Sequence, residues 1–565
     1  MPTRPSLFSS ISRPRFACGI SSTTSAAVLS TAIALTALTA LTAMPTAALA
    51  EEETPEHASG VPADDPHASL SAPSSGAAAA QGASASVAVA VPPETSSTTE
   101  HAVRVGGRRI AYTATAGTLL LRDGKGKADA SVFYVAYTAH ANDPSRRPIT
   151  FLFNGGPGAG SIFLLMGSVG PKRVNTSSPA PTPPAPYALR DNPDSLIDKT
   201  DLVFVDAVGT GFSRPLDAAA AKRFYGVDGD LDAFGRFIDR YLTVNQRWNS
   251  PKFLFGESYG TTRAAMLAYS LGQRHIAING VVLLSSVLNA NVHAPGYDLM
   301  DVRFLPSYAA VAWYHHKIPD VPAGGLPALL DEARAFAAGP YATALAKGDA
   351  LPDAERDAVA EQLARYTGLG KRFVIEARLR IPPSLFRKEL LRGETRSVGR
   401  YDGRFEGIEA NDAYDSPDYD ASEKYVTSAF NAAFHDHLAR DLHYTAQSPY
   451  RIFNDAVLSA WNWKHHAWWG ESLELPYAAG DLAEAIRRNP RLRVFSANGY
   501  FDLATPFFST EYDLAHMGLE PSLRGNLTIA YYSSGHMVYL DNAALHALKA
   551  DLARFYDAAG ASMSE

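Results

Sequence analysis

Short stretches that are apolar at nearly every position recur along this chain, at 132–138, 149–153, 202–205, 253–255, 281–284, 492–496 and 527–532. A strand with one wet face alternates apolar and polar residues, whereas a run apolar on both faces needs cover on both. Helical stretches such as 231–248 and 262–271 lie between several of these runs. The alternation predicts an α/β fold with a mostly parallel central sheet and helices on both faces. The pattern breaks between residues 291 and 450, where helical stretches at 326–337, 354–366 and 421–442 take over. The last of these carries Tyr425, Phe430, Phe434, Leu438 and Leu442 on one stripe. A mainly helical insertion capping the sheet's active edge is expected there, with the core divided into 101–290 and 451–565. A chain of 565 residues has room for both.

The first fifty residues are of another kind. Arg4, Arg13 and Arg15 precede an apolar run at 26–43, and Ala48-Leu49-Ala50 supplies a small-x-small site before Glu51. Charge, apolar segment and small-residue site in that order predict a cleaved secretory signal peptide over 1–50. Its removal would take away three positive charges from a chain whose net charge is −7. It would also remove Cys18, the only cysteine. A disulfide scaffold and a multi-thiolate metal site are therefore excluded. An acidic chain without a basic footprint gives no sign of nucleic-acid binding. Residues 51–100 are rich in Ala, Ser, Pro, Glu and Thr and read as a flexible linker. No stable membrane association is expected once the signal is gone, and the sequence does not fix the oligomeric state.

Gly256-Glu257-Ser258-Tyr259-Gly260 follows the apolar run Phe253-Leu254-Phe255 and precedes a helical stretch. A G-x-S-x-G turn between strand and helix exposes its serine on a strained elbow, making Ser258 the candidate nucleophile. Asn154-Gly155-Gly156-Pro157-Gly158-Ala159-Gly160-Ser161 follows the strand at 149–153. Such a loop can aim backbone N–H groups at a developing oxyanion, and it lacks the Gly-Lys-Ser/Thr ending of a phosphate loop. Asp502 and His536 each stand in a loop after a strand-like run. The order Ser258, Asp502, His536 is that of an α/β-hydrolase.

Together with Asp201–Asp206, Val208-Gly209-Thr210-Gly211-Phe212-Ser213 and Ser534-Gly535-His536-Met537-Val538, these motifs resemble the serine carboxypeptidases, and their bacterial branch more than the disulfide-bonded eukaryotic enzymes. The resemblance covers most of 110–290 and 450–560. It implies Ser258 as nucleophile, His536 as general base and Asp502 as its orienter. It also implies an oxyanion hole from the N–H groups of Gly156 and Tyr259, and Asn154 and Glu257 as holders of the substrate's terminal carboxylate. The chain departs from the family at Ala159, usually a cysteine, at Gly160, usually a serine, and at Ser168, commonly a carboxylate. The activity implied is release of C-terminal residues from a peptide or protein substrate, with neither metal nor cofactor, by an exported enzyme, periplasmic or secreted. An esterase, a proline-releasing aminopeptidase and a catalytically silent binding protein on the same fold remain as alternatives. The pairs His315-His316 and His465-His466 read as structural, because adjacent residues do not share a helix face. Trp461, Trp463, Trp468 and Trp469 read as core, or as cleft lining.

Overall fold

The computed structural model describes residues 91–141, 143–293 and 296–561; the signal segment and Cys18 lie outside them. A ten-stranded sheet organises the chain. Strands β1 (Ser96–Val105), β2 (Arg108–Arg122) and β3 (Ala128–Ala139) form an antiparallel meander at one edge. The following strands, β4 (Ile149–Phe153), β5 (Asp201–Val205), β6 (Lys252–Ser258), β7 (Gly280–Ser286), β8 (Arg493–Gly499) and β9 (Leu527–Tyr532), are mutually parallel. Their order across the sheet is β1-β2-β3-β5-β4-β6-β7-β8-β9, with the two-residue strand Arg214–Pro215 paired to β3.

Seven helices matter to the site: α1 (Ile162–Gly167), α2 (Val227–Val244), α3 (Tyr259–Gln273), α4 (Leu299–Tyr314), α5 (Ala421–Asp436), α6 (Ala478–Arg488) and α7 (Asn542–Ala561). Phe253 and Phe255 of β6, with Val282 and Leu284 of β7, pack in the layer of α1, α5 and α7. Leu254, Val281 and Leu283 pack in the opposite layer, with α2, α3 and α6. The strands are apolar on both faces because both faces are covered. Each parallel strand ends at the same edge, the place where such sheets carry their ligand sites. The architecture is that of an α/β-hydrolase.

Four features differ from those read in the sequence. The chain enters the sheet at Ser96, inside the segment expected to be linker. Residues Ser96 to Glu100 are polar but alternate exposed and half-buried against β2, and Gly106 and Gly107, both at positive φ, close the hairpin. The helix expected over 421–442 ends at Asp436 and continues as a wider turn, His437–Asp441. The insertion is not one body. Its first part packs on a core of its own around Leu305, Tyr308 and Phe386, whereas α5 buries Phe430 and Phe434 in the main core beside α1. Residues 451–477, expected to belong to the sheet core, add no strand to it; they bridge the glycine-rich loop at Ala159 and the neighbouring loop at Gly211.

Candidate active site

Ser258 ends β6 and caps α3 with φ 61° and ψ −131°, a left-handed backbone that costs energy for any residue with a Cβ. The two glycines of the motif make the turn possible. A Cβ on Gly260 would lie 2.7 Å from Phe153 O. One on Gly256 would strike the carbonyl of Gly260. The serine therefore projects from the carboxyl edge of the sheet into a cavity lined by Asn154, Gly156, Glu257, Arg400, Tyr401 and His536, among others. A larger cavity, about 690 Å³, lies between Tyr269 and Arg488 near the start of β8 and holds none of these groups.

Asp502 and His536 come together from the loops after β8 and β9. His536 Nδ1 lies 2.8 Å from Asp502 Oδ2. A carboxylate only accepts, so Nδ1 carries the proton and Nε2 keeps its lone pair. The same Asp502 oxygen accepts from the Thr505 hydroxyl at 2.7 Å, and Oδ1 accepts from the N–H groups of Ala504 (2.7 Å) and Thr505 (2.9 Å). Both side chains are buried. The His536 backbone is fixed from two sides: its N–H donates to Tyr401 O, and its carbonyl accepts from the Ser285 hydroxyl, each at 2.6 Å.

The glycine-rich loop lies against the elbow. A Cβ on Gly155 would sit 2.7 Å from Gly260 N and 2.8 Å from Glu257 O, and closer still to Tyr259 N. Only a glycine permits this approach, which sets Gly155 against the backbone N–H of Tyr259. Buried Arg263 of α3 donates to Asn154 O at 2.8 Å while pairing with Asp230 at 2.6 Å. On the far side of the loop, Asp206 accepts from Ser161 N–H (2.8 Å), Phe212 N–H (3.2 Å) and the Tyr450 hydroxyl (2.9 Å). Tyr450 also explains Gly160, where a Cβ would meet its hydroxyl at 2.8 Å.

Glu257 is fully enclosed. Asn154 Nδ2 donates to its Oε2 at 3.0 Å, and the Tyr539 hydroxyl donates to Oε2 at 2.9 Å, with Oε1 at 3.2 Å. Burial pushes its pKa up to about 7, against the opposing pull of His536, Tyr539 and Asn154. Ser168 takes no part, since its hydroxyl donates to Leu164 O at 2.5 Å. An acid does reach the cavity from the insertion: Glu423 of α5, which accepts from Thr427 and pairs with Lys424.

All seven residues singled out in the sequence thus lie at the ends of β4, β6, β8 and β9. Sequence reasoning missed Thr505, Tyr539, Arg400, Tyr401 and Glu423. An Asp-x-x-Thr spacing, which favours local side-chain to backbone bonds, is the one signal that points to Thr505. Of the four tryptophans, Trp461 and Trp463 pack edge-on against the Tyr259 ring. His465 is bonded to two carboxylates, Asp228 at 2.6 Å and Asp481 at 3.2 Å.

Residues 115–316 match the family model described as serine carboxypeptidase. The chain is 26% identical over 193 residues to "Serine carboxypeptidase-like 33" of Arabidopsis thaliana, covering 34% of this chain and 38% of that protein. It is 22% identical over 178 residues to a vacuolar serine-type carboxypeptidase of Saccharomyces cerevisiae, covering 30% and 32%. The matches thus span about a third of the length of each of these relatives. Among solved structures, a prohormone-processing carboxypeptidase of Saccharomyces cerevisiae superposes with a TM-score of 0.49 at 16% identity, over 79% of this chain and 91% of that one. A proline iminopeptidase of Mycobacterium smegmatis gives 0.35 at 13% identity, over 79% and 99%. Among the described residues no helix is long and apolar enough to cross a membrane.

Proposed function

We propose that this serine carboxypeptidase relative is itself a carboxypeptidase, removing single residues from the C-terminus of peptides or proteins through an acyl-enzyme on Ser258. The observation that carries this reading is Glu257. A carboxyl buried beside the nucleophile, and largely protonated below pH 7, can donate O–H to a substrate carboxylate, whereas an ionised one would repel it. His536 Nε2 takes the Ser258 proton as Oγ adds to the scissile carbonyl, and Asp502 stabilises the imidazolium. The N–H groups of Gly156 and Tyr259 receive the oxyanion. The C–N bond then breaks, and the released amino acid leaves with the proton returned by His536. Water repeats the sequence to free Ser258. Asn154 and Glu257 hold the terminal carboxylate, so that the cut falls one residue from the end.

Residues 1–50 are an export signal in this reading, and the enzyme works outside the cytoplasm. The deciding test is a peptide digest read by mass spectrometry. Stepwise loss of single C-terminal residues, abolished by C-terminal amidation, is expected. Equal turnover of amidated peptides, or release from the N-terminus, would overturn the proposal in favour of the esterase or aminopeptidase alternatives.

A further inference from the structure

The Glu257 carboxyl has two side-chain donors, and one of them comes from an unanticipated place. Tyr539 lies in the short turn Val538–Leu540, three residues after His536, and is wholly buried. Its ring passes close over Gly167 at the end of α1, where a Cβ would meet both Tyr539 and Phe430 at 2.8 Å. The turn is tied down by Arg173, which donates to Tyr539 O at 3.2 Å and to Asn542 at 2.8 Å. Ser168, the residue that follows α1, turns its hydroxyl back onto Leu164 O of that helix. Among the described residues the side-chain hydrogen bonds to Glu257 come from Asn154 and from the Tyr539 phenol, and none from α1.

We propose that Tyr539 is a positioning residue of the carboxylate site: its O–H, with Asn154, fixes the plane of Glu257, selects which oxygen carries the proton, and sets the upper pH at which a peptide's free C-terminus is accepted. This rests on the carboxypeptidase reading above. Both short bonds fall on Oε2. Oε1 has only the longer leg from Tyr539 and is left to carry the proton that meets the substrate. Burial holds the phenol itself well above its ordinary range, so Tyr539 stays a donor wherever the enzyme works. A donor aimed at a carboxylate favours its charged form. Tyr539 therefore works against the burial that keeps Glu257 neutral, and draws the high-pH limb, along which peptide binding is lost, downward. The other charged groups that bear on Glu257 are His536, which favours its ionisation, Asp502, which opposes it, and Arg400 and Glu423 on the cavity wall.

The test is Tyr539→Phe in the full mature chain. KM for a free-acid peptide should rise with pH along a limb displaced about one to two pH units upward from wild type, the equivalent of one charge-assisted hydrogen bond. The position of the pH profile for the amidated or esterified analogue should not move. Site-specific 3-fluorotyrosine at 539, a stronger donor of nearly the same shape, should displace the limb downward, and it covers the case in which Tyr539→Phe fails to fold. A second readout is independent of peptide turnover. The infrared C=O band that disappears in Glu257→Gln should titrate with a midpoint that shifts in the same directions. Unmoved midpoints, or limbs that shift equally for both substrates, would overturn the role of Tyr539. A shifted midpoint in an enzyme that releases no C-terminal residue would uphold the Tyr539–Glu257 coupling and sink the carboxypeptidase reading instead.

Discussion

Gly155→Ala asks whether the contact between the glycine-rich loop and the elbow is what makes the oxyanion site. The new methyl group would lie 2.7 Å from Gly260 N and 2.8 Å from Glu257 O. Ordinary contact for a carbon begins near 3.5 Å, so loop and elbow must separate by about 0.7 Å or more. All the atoms it meets are backbone, and no side chain can rotate away. Misplacement on that scale costs on the order of 10²-fold in rate, and loss of one oxyanion donor about 10²–10³-fold. Because the oxyanion exists only in the transition state, kcat should fall by that amount while KM changes little. Overpacking also costs roughly 1–3 kcal/mol of stability, so Tm should drop modestly with the circular dichroism spectrum retained. Gly124→Ala is the control, since a Cβ there meets nothing within 4 Å. The assay is steady-state turnover of an activated ester beside thermal melting of both variants. A Gly155→Ala enzyme with more than a third of wild-type kcat would refute the reasoning, because the loop would then not be registered by this contact.

Ser258→Ala and His536→Ala should each lower ester turnover by several powers of ten, and the double variant by little more, because the residues act as a unit; additive losses would argue against a shared mechanism. His465 faces two carboxylates. Burial opposes its charge, but Asp228 and Asp481 raise its pKa to about 9. A raised histidine pKa stabilises the fold fully below about pH 6.5 and loses that contribution as pH climbs through the folded value. The stability gap between wild type and His465→Gln in urea melts should thus be about 2 kcal/mol larger at pH 6 than at pH 10, and a gap independent of pH would contradict the pairing. N-terminal sequencing of exported protein should begin near Glu51; a mature chain that keeps Arg4 to Arg15 would reject cleavage there.

The elements legible in the sequence are those whose burial is symmetric. β4, β5, β6, β7 and β8 are buried on both faces, and Asn154, Ser258 and Asp502 lie at or just beyond the carboxyl ends of three of them; β9, at the sheet's edge, is only half-buried and was legible by its apolar residues alone. β1 was illegible because Ser, Thr and Glu make a poor strand by composition; pairing with β2 and the Gly106-Gly107 turn supply what propensity does not. Tyr539 and the cavity residues of the insertion escaped for a different reason. No local pattern tells that a phenol beyond His536 will find the carboxyl beside Ser258, 282 positions earlier in the chain. The two acids around His465 were hidden likewise, since Asp228 and Asp481 come from separate helices.

The stretch Arg400–Gly403 of the insertion is bonded through backbone atoms to the loops that carry Asp502 and His536. Leu503 N–H donates to Arg400 O at 3.0 Å, Gly403 N–H to Phe501 O at 2.9 Å, and His536 N–H to Tyr401 O at 2.6 Å. Phe501, Leu503 and Phe507, which flank Asp502, belong to the insertion's own apolar core. This constrains how the chain can be recombined. A cap exchanged between relatives at its two junctions would leave behind three side chains that complete its interior, and would present foreign carbonyls to Leu503 and His536. The transferable unit is discontinuous: the cap together with the segment around 501–507. A library that shuffles caps alone should yield folded but slow enzymes, and co-transfer of that short segment should restore their rates.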